Sequence, residues 1–239
     1  FEARYPLDIF RSIRASSTLR FDNQIELSTD AVTLSTPVNP EQRLGLKVEY
    51  VFDNTLDVAI NIKHGTRYKV SAELIKRLDV ELIDDFKVDL GTGFMTVLGI
   101  DFRHYQRLDK RSILAVRFAA GTSFGPEKLI YIMGGVDNDF TPNMDLSTPI
   151  ARENNYIFQT LVTNMRGFFQ NTRNGNTFAV VNSELRLPII SYFANRPIRN
   201  DFLQNLMVVG FADIGTAWNG PSPYAKENVI NTITVPLGT

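Results

Sequence analysis

Side chains change character at every second position through most of this chain, and that period restricts the fold more than any other feature. A period of two belongs to strands, whereas a helix repeats every 3.6 residues. Thr66, Tyr68, Val70, Ala72 and Leu74 oppose Arg67, Lys69, Ser71 and Glu73, so one face is mostly apolar and the other charged at three of four positions. The same alternation predicts strands at 19–27, 44–52, about 91–107, 112–124, 128–135, 177–190 and 204–218, with a strand end at 1–7. Residues 29–42 carry two prolines among Asp, Thr, Ser and Asn and predict a loop. The charged run 76–90 suits either a short helix or an extended turn, and reads as a loop with strand at its edges. From Val136 to Asn176 the alternation disappears, and a connection of that length inside a compact domain is functional or disordered. Residues 219–239, rich in Pro, Gly and Asn, read as loop. With about eight strands, one strand fragment and no long helix, the chain is all-β.

The faces can be assigned from parity. Asn182, Glu184 and Arg186 share one face of their strand, opposite Ala179, Val181, Leu185 and Leu187. In the last strand Phe211 and Asp213 point one way, and Val208, Ala212, Ile214 and Trp218 the other. An acidic residue therefore stands on the inner face of each of two strands that follow a loop carrying Arg166, a setting for a buried ion pair. Inner-facing charges recur on nearly every strand, and Tyr50, Phe52, Tyr105, Phe124, Tyr131 and Trp218 sit at strand ends. A transmembrane barrel with a wet or loop-plugged lumen and aromatic girdles accounts for both, although soluble sandwiches and propellers also give evenly spaced strands. A mean hydropathy of -0.10 does not oppose a barrel, because lipid meets only alternate residues. No run of about 18 apolar residues predicts a spanning helix. The net charge of -1, with both signs mixed throughout, provides no basic stripe for nucleic acid. Zero cysteines exclude disulfides, zinc–thiolate sites and thiol nucleophiles.

Three segments together resemble a known family. They are Arg166-Gly167-Phe168 in the long loop, the Asn182-x-Glu184-Leu185-Arg186-x-Pro188 strand end, and Phe211-x-Asp213-x-Gly215-Thr216-x-Trp218. The combination resembles the C-terminal barrel of the Omp85 superfamily of bacterial surface antigens, most strongly over 128–218 and more faintly over 50–125. Met165 departs mildly from the β-branched residue common before that Arg-Gly-Phe. The resemblance implies part of a transmembrane antiparallel up-and-down β-barrel, sixteen-stranded in the family, occupying 1–239, with the loop at about 136–176 folded into the lumen. It implies that Arg166 pairs there with Asp213, near Phe211 and Glu184, with Gly167 turning the chain so that Arg166 and Phe168 point inward together. It further implies a bacterial outer-membrane location and a task in inserting or translocating polypeptides. The partners implied are unfolded or nascent outer-membrane polypeptides, outer-membrane lipids, and periplasmic or lipoprotein accessory subunits. The chain reads as a portion of a longer polypeptide, with a periplasmic or other domain upstream. A barrel that anchors or exports an attached lipase-like enzyme, or one that serves as a structural subunit of an envelope complex, remains open beside the assembly reading.

Signals for catalysis are sparse. His-Glu-x-x-His and Walker motifs are both missing from the sequence, and no enzyme, catalytic residue or cofactor is predicted. His64 and His104 lack metal-ligand partners at useful spacing and read as structural, and no metal site is expected. Asp84-Asp85 and Asp137-x-Asp139 read as solvated loop charges, and Gly91-Thr92-Gly93 has no helix to follow it as a phosphate loop would.

Overall fold

The computed structural model describes residues 1–24, 39–59, 62–81, 87–89, 93–109, 112–135, 144–145, 147–150, 154–193, 199–200, 202–203, 206–225 and 228. Thirteen strands are present among them: β1 (Glu2–Pro6), β2 (Arg11–Gln24), β3 (Asn39–Asp53), β4 (Leu56–Ala59), β5 (Ile62–Glu81), β6 (Lys87–Asp89), β7 (Phe94–Arg107), β8 (Ile113–Phe124), β9 (Lys128–Met133), β10 (Tyr156–Leu161), β11 (Arg173–Gly175), β12 (Thr177–Leu187) and β13 (Val208–Trp218). One short helix, α1 (Ile189–Phe193), opens the connection between β12 and β13.

Ten strands form one sheet. Eight of them follow the order β1-β2-β3-β5-β7-β8-β12-β13, each antiparallel to the next, while the short β4 and β6 pair with the two ends of β5. The sheet is open among the described residues, with β1 and β13 as its edges. Turn chemistry sets the hairpins: Asp8 Oδ1 accepts the backbone N–H groups of Phe10 and Arg11 at 2.7 Å each, closing the β1–β2 turn. After β3, Asp53 Oδ1 accepts Thr55 N–H at 3.1 Å and Thr55 Oγ1–H at 2.6 Å. Gly65, at φ 120°, passes so near Asn54 that a Cβ would lie 2.7 Å from its carbonyl oxygen.

The longest jump in the strand order, from β8 to β12, carries a second sheet in the order β10-β9-β11, in which β10 runs parallel to β9 and β11 antiparallel to it. This corrects two sequence expectations. The 128–135 segment is a strand, but it leaves the large sheet for the small one, because alternation specifies a strand and not its neighbour. The 136–176 segment is not devoid of strands, since β10 and β11 lie in it. Two further expectations were too short: β2 starts at Arg11 and β5 continues to Glu81. Ile25 and Leu27, assigned to the first of these strands, lie outside the described residues.

The small sheet packs against one face of the large sheet, touching β7, β8, β12 and β13. Tyr131 and Met133 of β9, with Val162 and Met165 beyond β10, bury themselves on Val180 of β12 and Ala217 of β13. Glycine makes room for this layer. A Cβ on Gly121 would fall 3.0 Å from the Tyr131 hydroxyl, and one on Gly215 would fall 3.1 Å from Met165 Sδ. A second contact holds the far end of the small sheet to β2 and β3. The Phe158 ring of β10 lies 4.0 Å from Arg20 Cζ and 5.2 Å from Arg43 Cζ. Arg43, only 3% exposed, donates to Glu41 Oε2 at 2.5 Å and Asp22 Oδ2 at 3.4 Å, with Glu127 Oε2 3.7 Å from its Nε.

The two faces of the large sheet therefore differ in kind. The covered face carries Arg14, Arg43, Lys47, Glu49, Arg67, Lys69, Glu73, Asp101, Arg103 and Arg117, many in ion pairs such as Lys47 with Glu49 at 3.2 Å. Among the described residues the opposite face is bare and apolar: Leu19, Leu46, Val48, Val70, Leu74, Leu98, Ile100, Phe118, Val181 and Ile214 are all exposed.

Candidate functional site

The site is assembled where the small sheet gives way to the loop ahead of β11. Gly134 and Gly135 end β9, and their lack of side chains allows the returning loop to lie against them. A Cβ on Gly134 would be 2.0 Å from the Phe169 carbonyl oxygen, and one on Gly135 would be 2.5 Å from that of Phe168. Backbone bonds tie the loop at this point: Met165 N–H donates to Gly134 O at 3.0 Å, and Gly135 N–H to Phe168 O at 3.0 Å. Gly167 then adopts φ 85°, a left-handed turn that favours glycine, immediately after Arg166.

Arg166 meets the wall through a fork. Its Nε donates to Asp213 Oδ2 at 2.9 Å and its Nη2 to Asp213 Oδ1 at 2.7 Å, while Nη1 donates to Glu184 Oε1 at 2.7 Å. The backbone N–H of Arg166 adds a bond to Asp213 Oδ2 at 3.0 Å, and Asn182 Nδ2 donates to Asp213 Oδ1 at 2.8 Å. The Asp213 side chain, 2% exposed, thus accepts four hydrogen bonds. Bidentate guanidinium–carboxylate geometry of this kind is directional and charge-assisted. Bonding to Asp213 raises the Arg166 pKa above the ordinary arginine value against the opposing effect of desolvation, so the loop cation stays charged. Phe211 lies under it, with Arg166 Cζ 4.1 Å from the ring centroid.

Arg166, Asp213, Phe211 and Glu184 are therefore brought together in one cluster, with the aromatic contact supplied by Phe211. Phe168 is half exposed, and its carbonyl ties the loop to Gly135. Parity alone placed Asn182 and Arg186 on the inner face without a role. In the structure Arg186 Nε and Nη2 donate to Glu184 Oε2 at 3.0 and 2.7 Å, and Asn182 Nδ2 also donates to Asn164 O at 3.1 Å, binding wall to loop.

A second cluster, which sequence reading did not single out, adjoins the first. Asp101 accepts Arg103 Nε and Nη2 at 2.8 and 3.1 Å, and Arg117 Nε and Nη2 at 3.1 and 2.5 Å. Arg117 Nη1 continues to Thr163 Oγ1 in the loop. The available signal was register: Arg67, Arg103 and Arg117 are direct partners on three adjacent strands.

No protein-family model and no curated protein matches the chain. The arrangement thus stands on its own geometry. His104 Nδ1 lies 2.8 Å from Thr66 Oγ1 across two strands, and His64 falls in β5 beside Leu56 of β4. Among the described residues no three His, Cys, Asp or Glu side chains gather as a metal set. Asp84, Asp85, Asp137, Asp139, Gly91 and Thr92 lie outside the described residues. What the site does chemically is hold a loop: Arg166 and Arg186 are matched by Asp213 and Glu184 across a chain segment and a sheet.

Proposed function

We propose that the chain is part of an Omp85-type outer-membrane barrel that inserts or translocates other polypeptides. The observation that carries this reading is the docking of Arg166 on Asp213, which joins in space the loop motif and the last strand motif, 47 residues apart, on which the family resemblance rests. The faces of the sheet support it. An apolar bare face suits lipid, and a charged covered face suits a lumen plugged by the small sheet. The meander order, with strands of 11 to 20 residues after the five-residue β1, suits a barrel wall, since about 9 to 11 residues cross the hydrocarbon and longer strands project beyond it. In this reading the protein performs no covalent chemistry. Strand edges offer backbone hydrogen bonds to an incoming chain, and the Arg166 loop keeps the lumen in order.

The test is made in cells carrying the natural polypeptide. Its depletion, or Arg166→Ala, is expected to lower the amount of folded outer-membrane proteins and to raise periplasmic stress. Normal levels of those proteins on depletion refute the assembly role. If the same depletion abolishes only the surface display or export of an attached enzyme, the anchor reading replaces it.

A further inference from the structure

We propose that the cavity between the Arg166 loop and the wall strands β7, β8 and β12 is a binding site for an oxyanion, a phosphate or carboxylate group. The cavity measures about 250 Å³, space for several water-sized groups, and Arg103, Arg117, Arg166 and Arg186 line it together with Glu184 and Ala115. This inference rests on the charge arrangement alone and holds whether or not the barrel reading does.

Three observations lead to it. The carboxylates are outnumbered. Around the cavity, among the described residues, four guanidiniums share Asp101, Glu184 and Asp213. Asp101 is divided between Arg103 and Arg117, and Glu184 between Arg166 and Arg186. Next, like charges stand side by side. Arg103 and Arg117 are direct register partners, with Arg67 the next in the row; like charges so opposed destabilise a sheet, and the single Asp101 carboxylate bridges the first two. Arg107 and Arg186 flank Ile113 two inward-facing rows further along, and among the described residues the buried Nε of Arg107 has no hydrogen-bond partner. Finally, donors remain. Arg103 and Arg186, both lining the cavity, each direct Nε and Nη2 to their carboxylates, so Nη1 lies outside those bonds, and Tyr105 adds a contact to Arg103. Planar guanidinium forks that border one small space match the oxygens of phosphate and carboxylate groups.

The cavity floor supplies the control. Ala115 stands between Tyr105 and Glu184 in the register, and a longer neutral side chain there would occupy the space without removing a charge. The experiment is calorimetric titration of the folded natural polypeptide with inorganic phosphate against chloride at constant ionic strength. It is repeated for Ala115→Gln and Arg103→Gln, with thermal unfolding recorded for each. One saturable phosphate site is expected, weakened at least tenfold in both variants, with the unfolding midpoint of Ala115→Gln close to that of the parent. Acetate that displaces phosphate shows a site for carboxylates as well; acetate that does not shows one restricted to phosphate. Phosphate uptake no different from chloride, or a stable Ala115→Gln protein that binds phosphate as the parent does, overturns the assignment.

Discussion

Replacing Arg166 with alanine isolates the interaction on which the loop depends. The change removes three side-chain hydrogen bonds but leaves the backbone bond from residue 166 to Asp213 in place. Glu184 keeps Arg186 as a partner, so its charge stays compensated. Asp213 loses the only cation paired with it among the described residues, although Asn182 still donates to it. Stranding one member of a buried pair costs about 3 to 5 kcal/mol. The two surviving bonds and the partial exposure of Arg166 put the loss near the lower end, at about 3 kcal/mol, or roughly 100-fold in the equilibrium for loop opening. Hydrogen exchange reads this directly, because the amides of Gly135, Val162 and Met165 bond within this layer, to Phe168 O, Ile132 O and Gly134 O. These amides should exchange about two orders of magnitude faster in the variant, while amides between β7 and β8 stay protected. Arg166→Lys, which keeps the charge but not the fork, should fall between. Combining Arg166→Ala with Asp213→Ala should cost far less than the two single changes added together. Exchange within twofold of the parent, or additivity of the pair, would refute the view that this ion pair holds the loop.

Other perturbations address neighbouring links in the argument. Gly134→Ala places a methyl 2.0 Å from the Phe169 carbonyl oxygen and should destabilise the docked loop by about 1 to 3 kcal/mol, visible as new protease cleavage near 166–170. Val48→Lys puts a charge on the bare face. It should lower the folded fraction in lipid vesicles by about 2 to 4 kcal/mol if that face meets mid-bilayer, and change it by under about 0.5 kcal/mol if the face meets water. Bonds from Ser147 N–H and Oγ–H hold the Asp145 carboxyl below its usual pKa, so their contribution to the turn is present above the ordinary aspartate value and is lost as pH falls through the depressed one. A carboxyl chemical-shift titration of Asp145 checks this, and a midpoint at or above the unfolded value contradicts it.

Alternation made the wall legible and left the lid obscure. In β5, β7, β8, β12 and β13 a single rule, every second residue inward, placed Asp101, Arg103, Arg117, Glu184 and Asp213 on the face they occupy. Opening residues of β2 escaped because Ser12, Ala15, Ser16 and Ser17 are small on both faces and contrast too little. Tyr156–Leu161 is apolar at most positions on both faces, so it shows no period. Membership of β9 in the small sheet was also beyond sequence pattern, because pairing is a long-range choice. Arg43 illustrates the same limit. Its parity gives the inner face, but its burial comes from Phe158, more than a hundred residues away. The Arg166 cluster was approachable because its pieces sit in three recognisable segments, whereas the Asp101 cluster has no such sequence marker.

The two attachments of the small sheet also differ in when they can form. Arg166 reaches Glu184 only 18 residues along the chain, but Phe158 must find Arg20 and Arg43 on strands laid down far earlier. Closing the longer loop carries an additional entropic cost of roughly 1.5 to 2 kcal/mol. Local closure should therefore come first, fastening the small sheet to β12 and β13 while the early strands are still searching for their register. The tethered sheet then offers Phe158 as a target on which β2 and β3 can settle, so that the small sheet should act as a gauge for the register of the strands laid down before it.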